Sequence, residues 1–346
     1  MKKFTLVSAV AAAAIAASHG ATAAQSRDTI QIAGSSTVLP FASIVAEEFG
    51  NAFSEFKTPV VGSGGSSGGL RQFCQGVGEN TIDIANSSRR IRAGEIEACN
   101  KVGVSKILEV QIGYDGIVFA TGADKDDLAL EPVHVFKAIA AQVPVDGKLV
   151  DNPYKTWDEI DASLPNQPIA LAIPASNHGT REVFEEKVTH AGCEAAGMPE
   201  MEKDALEKAC KTFRQDVVVE IAGDYTETLA RLQSNADTVG VFGLSFYDQN
   251  RDKLKVANVG GVTPSLETIA SGEYPVSRPL FFYVKGEHIG VIPGLSEYVE
   301  FFLSEQMAGE GGALETAGMI PAPAEETAEV LARFTEGKAL TAADLQ

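Results

Sequence analysis

The feature that most constrains the fold is a repeated order along the chain: a short β-rich segment, a loop rich in glycine and serine, then an amphipathic segment. Apolar residues at helical spacing predict helices, and short apolar runs predict strands. This alternation favours an α/β fold in which helices flank mixed, mostly parallel sheets. The predicted strands span 29–33, 58–61, 82–85, 107–112, 116–120, 169–173, 217–221, 239–242 and 280–284, and the predicted helices span 39–53, 68–75, 93–102, 131–140, 180–191 and parts of 324–337.

The length of the chain, 346 residues, is too great for one small domain and suits two lobes of roughly 150 residues each. Hydrophobic residues make up 45% of the sequence, which excludes a disordered chain. The formal net charge of −19 disfavours binding to nucleic acid or to an anionic membrane. A small anionic ligand stays compatible with that charge, because backbone dipoles act on it at short range.

The first 24 residues have the pattern of an export signal. Lys2 and Lys3 form a basic start, residues 4–17 are apolar, and small residues precede a predicted cleavage after Ala23 or Ala24. A membrane anchor is the alternative, but the apolar stretch is too short to span a bilayer. The sequence therefore predicts an exported mature protein that begins near Ala24.

Four cysteines are an even number, which in an exported protein predicts disulfide bonds. Three pairings are possible, and we prefer the two between sequence neighbours, Cys74 with Cys99 and Cys193 with Cys210. Each bond would close a short loop and contribute about 3 kcal/mol. The cysteines and histidines do not form a metal-binding pattern, so no metal and no cofactor are expected.

The four polar loops, 34–37, 62–69, 86–89 and 176–180, follow predicted strands and precede predicted helices. Ligands of open α/β sheets bind beyond the carboxyl ends of the strands, where helix N-termini present unpaired N–H groups. Glycine allows the backbone close approach, and serine and threonine add hydroxyl donors. Turns and helix caps use the same residues, so the prediction of an anion site depends on four such loops meeting at one sheet edge.

Residues 64–68 match the G-x-S-x-G pattern of a hydrolase nucleophile, with Ser66 at its centre. The match comes only two strands into the mature chain, which is too early for an α/β-hydrolase, and the histidines lie in no recognisable triad context. The loop also lacks the Gly-Lys-Ser/Thr of a Walker A motif and the third glycine of a dinucleotide fingerprint. A secreted serine or phosphoester hydrolase that uses Ser66 is therefore only an alternative function.

Seven segments together resemble the periplasmic phosphate-binding proteins of phosphate ABC transporters. Each is weak alone, but their order spans nearly the whole mature chain. They are Ala-Gly-Ser-Ser-Thr-Val-Leu-Pro at 33–40, Gly-Ser-Ser-Gly-Gly at 65–69, Ile-Asp-Ile-Ala-Asn-Ser-Ser-Arg at 82–89, Tyr-Asp-Gly at 114–116, His-Gly-Thr at 178–180, Val-Gly-Val-Phe-Gly at 239–243 and Ser-Arg-Pro-Leu-Phe at 277–281.

The resemblance implies a type II periplasmic-binding-protein fold, in which two α/β lobes close on a ligand. Lobe I would comprise 25–120 and 278–346, and lobe II 121–277. Hinge strands would lie near 117–121 and 278–284. The ligand would be inorganic phosphate, delivered by a monomeric periplasmic protein to an inner-membrane permease without catalysis. Alternatives within the class are another tetrahedral oxyanion or an organophosphate.

The resemblance also implies the ligand contacts. Hydroxyls and backbone N–H groups from both lobes would hold the phosphate, and Arg89 would offer a bidentate contact. Asp115 is the candidate acceptor for the phosphate proton, because Ser88 stands where some family members carry an aspartate. The implied set comprises Ser36, Thr37, Val38, Ser66, Ser67, Ser88, Arg89, Asp115, His178, Gly179 and Thr180.

Two departures from the family concern the predicted lobe II contact. His178 replaces a serine in the Ser-Gly-Thr element, and the arginine that some members carry shortly before that element is absent. Arg181 is a candidate substitute for that arginine. A neutral imidazole donates one hydrogen bond, whereas a protonated one also adds positive charge.

We predict that His178 makes anion affinity rise as the pH falls through the range where histidine titrates, about 6.5. The measurement is a series of phosphate titrations between pH 5.5 and 8 on wild type and His178→Ser. The variant corrects for the titration of phosphate itself, so an identical pH profile for the two proteins would contradict the prediction.

Overall fold

Within residues 27–176, 180–222 and 225–345, which the computed structural model describes, nine strands form one sheet. The order is β2-β1-β3-β13-β4-β10-β8-β9, with β11 also paired to β4. The strands are β1 Gln31–Gly34, β2 Val60–Ser63, β3 Ile84–Ser87, β4 Ile107–Gly122, β5 Ala129–Leu130, β6 Gln142–Val145, β7 Lys148–Asp151, β8 Leu171–Pro174, β9 Val218–Ile221, β10 Val239–Gly243, β11 Leu254–Val256, β12 Asn258–Val259 and β13 Ser277–Lys285.

Helices lie between most of these strands, and this α/β class is the one that the sequence predicts. A π-helical segment, Glu185–His190, joins α5 to α6. The α-helices are α1 Leu39–Ala52, α2 Ser66–Phe73, α3 Ala93–Lys101, α4 Pro132–Ile139, α5 Thr180–Phe184, α6 Ala191–Ala195, α7 Lys203–Lys211, α8 Tyr225–Ser234, α9 Leu244–Gln249, α10 Leu266–Ala270, α11 Leu295–Phe302, α12 Glu305–Ala308, α13 Ala313–Thr316 and α14 Ala324–Thr335. None of the helices in the described ranges is both long and apolar enough to cross a membrane.

Strand β4 belongs to both halves of the sheet. Its first part pairs antiparallel with β13, from Ile107 opposite Lys285 to Gly116 opposite Ser277. Its last part pairs antiparallel with β10, where Ile117 lies opposite Gly243. Strands β1, β2 and β3 are parallel to one another, as are β8, β9 and β10. Each half is thus a mixed sheet with two parallel and two antiparallel pairings.

The buried apolar residues separate in the same way. One cluster packs β1, β3 and the first part of β4 against α1 and α11. Another packs the last part of β4 with β8, β10 and α5. The lobe boundaries after 120 and 277 stay a prediction, and this division of the core is the observation in their favour. The predicted signal peptide lies outside the described residues.

The expected break between strands at 107–112 and 116–120 is wrong, because the chain stays extended through it. Gly113 has φ +141°, in the positive range that glycine tolerates, and Ile320 O would lie 2.5 Å from a Cβ placed there. The register with β13 shifts at the preceding residue: Leu280 lies opposite Gly113 and Phe281 opposite Gln111, so Ile112 is the extra residue of a β-bulge in β4.

Both predicted disulfides are confirmed. Cys74 bonds to Cys99 with a Cα–Cα distance of 4.3 Å, and Cys193 bonds to Cys210 with a Cα–Cα distance of 5.6 Å. Cys99 packs among apolar side chains of α2 and α3, and Cys193 packs among those of α4. Each bond therefore strengthens a local core rather than crossing the molecule.

A buried ionic cluster fixes the start of the described chain. Asp83 is fully buried and accepts hydrogen bonds from both Arg27 Nη atoms at 2.7 Å and from the Gln31 N–H at 2.7 Å. The Oδ1 atom of Asp83 also lies 2.6 Å from His288 Nδ1. Burial alone would raise the pKa of Asp83, but hydrogen bonds from His288 and Arg27 outweigh it and hold the pKa below its usual value.

We expect Asp83→Asn to cost about 3–5 kcal/mol of unfolding free energy at pH 7, because it leaves the largely buried Arg27 guanidinium without its carboxylate. The lowered pKa means that the ionised form is stabilised, so this advantage is full above the unfolded-state value of about 3.9 and shrinks as the pH falls below it. Urea unfolding at pH 7 and pH 3 measures both effects. Asp28→Asn, which alters an exposed ion pair with Lys57, is the control, and an equal loss in both variants would contradict the expectation.

Candidate functional site

The parallel pairing of β1, β2 and β3 brings three polar loops to one edge of the sheet. Gly34, the last residue of β1, lies opposite Ser63 of β2 and Asn86 of β3. Close packing here requires glycine: a Cβ on Gly34 would lie 2.1 Å from Asn86 O, and a Cβ on Gly69 of α2 would lie 2.4 Å from the Gly34 Cα. The start of α2 can therefore approach the end of β1.

Hydroxyl groups from these loops form a buried cluster. Ser66 Oγ, at the start of α2, accepts from the Ser88 N–H at 3.1 Å and lies 3.1 Å from Ser88 Oγ. Thr37 is 2% exposed and Ser88 1%. Ser35 Oγ accepts from the N–H groups of Thr37 and Val38, at 3.2 and 3.4 Å. The Val38 N–H, an expected ligand donor, thus has a partner within its own turn.

Arg278, from β13, brings a buried positive charge to the hydroxyl cluster. Its Nη2 donates to Thr37 Oγ1 at 3.0 Å and to Asp115 Oδ2 at 3.5 Å. Its Nη1 donates to Glu186 Oε2 at 2.8 Å. The side chain is 5% exposed, and among the described residues its Nε has no hydrogen-bond partner. A guanidinium with an unpaired buried donor is suited to a further acceptor.

Asp115 lies beside this guanidinium on β4. Burial raises the pKa of Asp115 to about 6, against the lowering effect of Arg278, and the nearby carboxylates of Glu182 and Glu186 raise it further. The Asp115 carboxyl therefore changes charge in the pH range in which phosphate also gains or loses a proton.

Glu182, from α5, meets the hydroxyl cluster from the other half of the chain. Its Oε2 accepts from Thr37 Oγ1 at 2.8 Å and from Ser36 Oγ at 3.3 Å. Its Oε1 accepts from Ser88 Oγ at 3.5 Å. Arg278 Nη2 lies 3.8 Å from Oε2. The point where these donors converge is thus a position that suits an anionic oxygen.

Arg89 is part of a separate ion pair at the rim of the site. It donates two hydrogen bonds to Glu95, at 2.7 and 3.0 Å, and one to Ser67 Oγ at 3.0 Å. The Glu95 carboxylate raises the pKa of Arg89. These contacts hold the Arg89 guanidinium against Glu95 of α3, whereas Arg278 contacts the hydroxyl cluster directly.

The lobe II donors are described only in part. His178 and Gly179 lie outside the described residues. Thr180 begins α5, and its Oγ1 accepts from the Tyr225 hydroxyl at 3.3 Å. Arg181, the candidate substitute for the missing family arginine, is buried and donates to Pro174 O, Glu185 and Glu220. Its guanidinium therefore supports the local fold of this segment.

A cavity of about 540 Å³ opens beside the hydroxyl cluster. The described parts of the chain hold no group of three or more His, Cys, Asp or Glu side chains placed to bind a metal ion. Ser66, the alternative nucleophile, is hydrogen-bonded to Ser88 in this structure. The cavity is lined by Gly64, Gly65, Ser66, Ser67, Gly68, Arg71, Ser88, Arg89, Arg92, Glu182, Glu186 and Arg278.

The fold and this polar site define a protein of the PBP superfamily, whose domain model matches residues 19–306. Within it, the chain belongs to the family of the phosphate-binding proteins PstS. The relative of that name from Staphylococcus epidermidis is 30% identical over 295 residues, which are 84% of this chain and 78% of the relative. Protein SphX of Synechococcus elongatus is 28% identical over 322 residues, which are 91% of this chain and 84% of the relative.

Solved structures share this fold. A possible phosphate binding protein from Planctomyces limnophilus superposes with a TM-score of 0.71 at 26% identity, over 90% of this chain and 98% of that one. PstS from Borrelia burgdorferi has a TM-score of 0.60 at 19% identity, over 86% of this chain and all of that one. The second likeness concerns the fold alone.

Three charged residues of the site, Glu182, Glu186 and Arg278, are absent from the set that the sequence predicted. Arg278 lies in one of the resembling segments, but its neighbours gave no sign that it faces the loop after β1. Glu182 lies two residues after the predicted contact at Thr180. Because α5 begins at Thr180, this spacing does not indicate the direction in which the Glu182 side chain points. Both contacts depend on tertiary packing between distant parts of the chain.

We expect the Asp115 carboxyl to titrate near pH 6, and to titrate at higher pH in Arg278→Gln, because the guanidinium lowers its pKa. Carboxyl carbon NMR resolves this titration, with Asp115→Asn to assign the signal. Asp28, whose pKa lies below its usual value, is an internal control. A wild-type Asp115 signal that titrates near pH 4 would contradict the expectation.

Proposed function

We propose that the protein captures inorganic phosphate between its two lobes and delivers it to a membrane permease after export to the periplasm. The observation that carries the proposal is the convergence of buried hydroxyls from three loops with a buried arginine that has a donor to spare. Tetrahedral oxyanions are bound by such sets of short-range donors. The names of the relatives, phosphate-binding protein PstS, support the same ligand.

The ligand contacts in this proposal combine predicted and newly located residues. Thr37, Ser66 and Ser88 would donate from lobe I, and Thr180 with the 178–179 segment from lobe II. Arg278 would supply the guanidinium in place of Arg89, because it contacts Thr37 Oγ1 whereas Arg89 is bound to Glu95. Asp115, which lies beside Arg278, would accept the proton of the bound phosphate.

Short-range donors must outweigh a repulsive overall charge in this protein. The net charge of −19 opposes the approach of an anion at long range, but that effect is screened within about 10 Å at 0.1 M salt. Hydrogen bonds inside a buried site are screened much less. We therefore attribute binding to the local donor set, and capture to closure of the lobes, which completes that set.

The size of the cavity favours an organophosphate as a second candidate ligand. A volume of about 540 Å³ lies within the range of clefts that hold small organic molecules. Arg71 and Arg92 line the same cavity and could face a second polar group of such a ligand.

We expect calorimetry of the mature, anion-stripped protein to show one-to-one phosphate binding that excess sulfate does not displace. Ser66→Ala should weaken binding by about 1–3 kcal/mol, because it removes one donor and leaves the Ser88 N–H unpaired. Ser43→Ala, which removes an exposed hydroxyl bonded only within α1, is the matched control and should bind like wild type.

Three results would count against the proposal. Displacement by sulfate would mean a wider oxyanion specificity, and heat only with phosphate monoesters would favour the second candidate. Turnover of ester substrates by wild type, lost in Ser66→Ala, would instead establish the hydrolase alternative.

A further inference from the structure

The carboxylate of Glu182 makes the contacts that the proposed function assigns to a bound oxyanion. It accepts from the hydroxyls of Ser36, Thr37 and Ser88, at 3.3, 2.8 and 3.5 Å. These donors come from the loops after β1 and β3, whereas Glu182 belongs to α5, 94–146 residues away in sequence. The contact therefore joins the two halves of the chain through an anionic group.

A second anion cannot use the same donors while the carboxylate stays there. Each hydroxyl has one proton to donate, and Thr37 directs its proton to Glu182 Oε2. The neighbouring charges increase the conflict, because Asp115 and Glu186 are also acidic and Arg278 is the cation in contact with them. An oxyanion placed among these hydroxyls would lie against the Glu182 carboxylate in a buried environment.

The exposure of the side chains shows which partner can move. Thr37 and Ser88 are almost fully buried and held by the loops around them, whereas the Glu182 side chain is 42% exposed. A rotation of that side chain would take the carboxylate to solvent without disturbing the packed core. The donor set would then be free for a ligand of the same charge and hydrogen-bonding type.

We propose that Glu182 is a tethered anion that holds the donor set of the cleft, so that an external oxyanion binds by displacing it. This inference rests on the proposed function for the identity of the external anion. Displacement reduces the apparent affinity to the intrinsic affinity multiplied by the fraction of molecules in which the carboxylate has left the donors. Glu182 thus sets the affinity of the site without touching the ligand in the final complex.

The test compares Glu182→Ala with Glu194→Gln, which removes one negative charge from an exposed position of the same half of the chain. Removing the competitor should tighten phosphate binding by about tenfold, whereas the control should bind like wild type. Any sulfate affinity should rise by the same factor, because displacement does not depend on a ligand proton. Unchanged or weaker phosphate binding in Glu182→Ala would overturn the proposal.

A second readout does not depend on phosphate. In anion-stripped protein, amide hydrogen exchange at residues 35–38 and 87–89 should be faster in Glu182→Ala than in Glu194→Gln, because Ser36, Thr37 and Ser88 lose their hydrogen bonds to the carboxylate. If wild type binds no phosphate, the proposed function fails while this comparison still decides on the tether. Equal exchange in the two variants would overturn it.

Discussion

The whole architecture depends on one long strand, β4, which is hydrogen-bonded into both halves of the sheet. Its first residues pair with β13 and its last with β10, so the two cores share a single continuous backbone segment. Asp115 lies on that strand, opposite Arg278 in the register of β13. The buried charges of Asp115 and Arg278 therefore lie on the pair of strands that connects the two halves. Any change in the relative position of the halves would bend these strands.

Much of the fold could be predicted from the sequence, because its signals are local. The strand, loop and helix order, the helix at Leu39–Ala52 and the neighbour pairing of the cysteines all follow from residue type and spacing. The continuity of β4 could not, because Tyr114-Asp115-Gly116 has the composition of a turn. A bulge at Ile112 of β4, which no local pattern shows, lets the pairing with β13 continue on both sides of it.

The residues of the site divide in the same way, into those with a local sequence signal and those placed by tertiary contacts. Thr37, Ser66 and Ser88 could be located from sequence, since parallel strands place their carboxyl ends at one edge. The charged members could not. Whether Arg89 or Arg278 reaches the hydroxyls depends on where Glu95 and the α3 helix lie, and the position of Glu182 depends on how the two halves meet. The positions of these charged side chains therefore depend on tertiary contacts and not on local sequence.

The two disulfides also bear on how such a chain becomes oxidised. Each bond joins two cysteines that are consecutive in the sequence, with separations of 25 and 17 residues. A chain that emerges from a membrane pore N-terminus first presents its thiols in the order in which they pair. Strictly sequential oxidation of such a chain would yield these two bonds directly, without the slow reshuffling by thiol–disulfide exchange that interleaved pairings require.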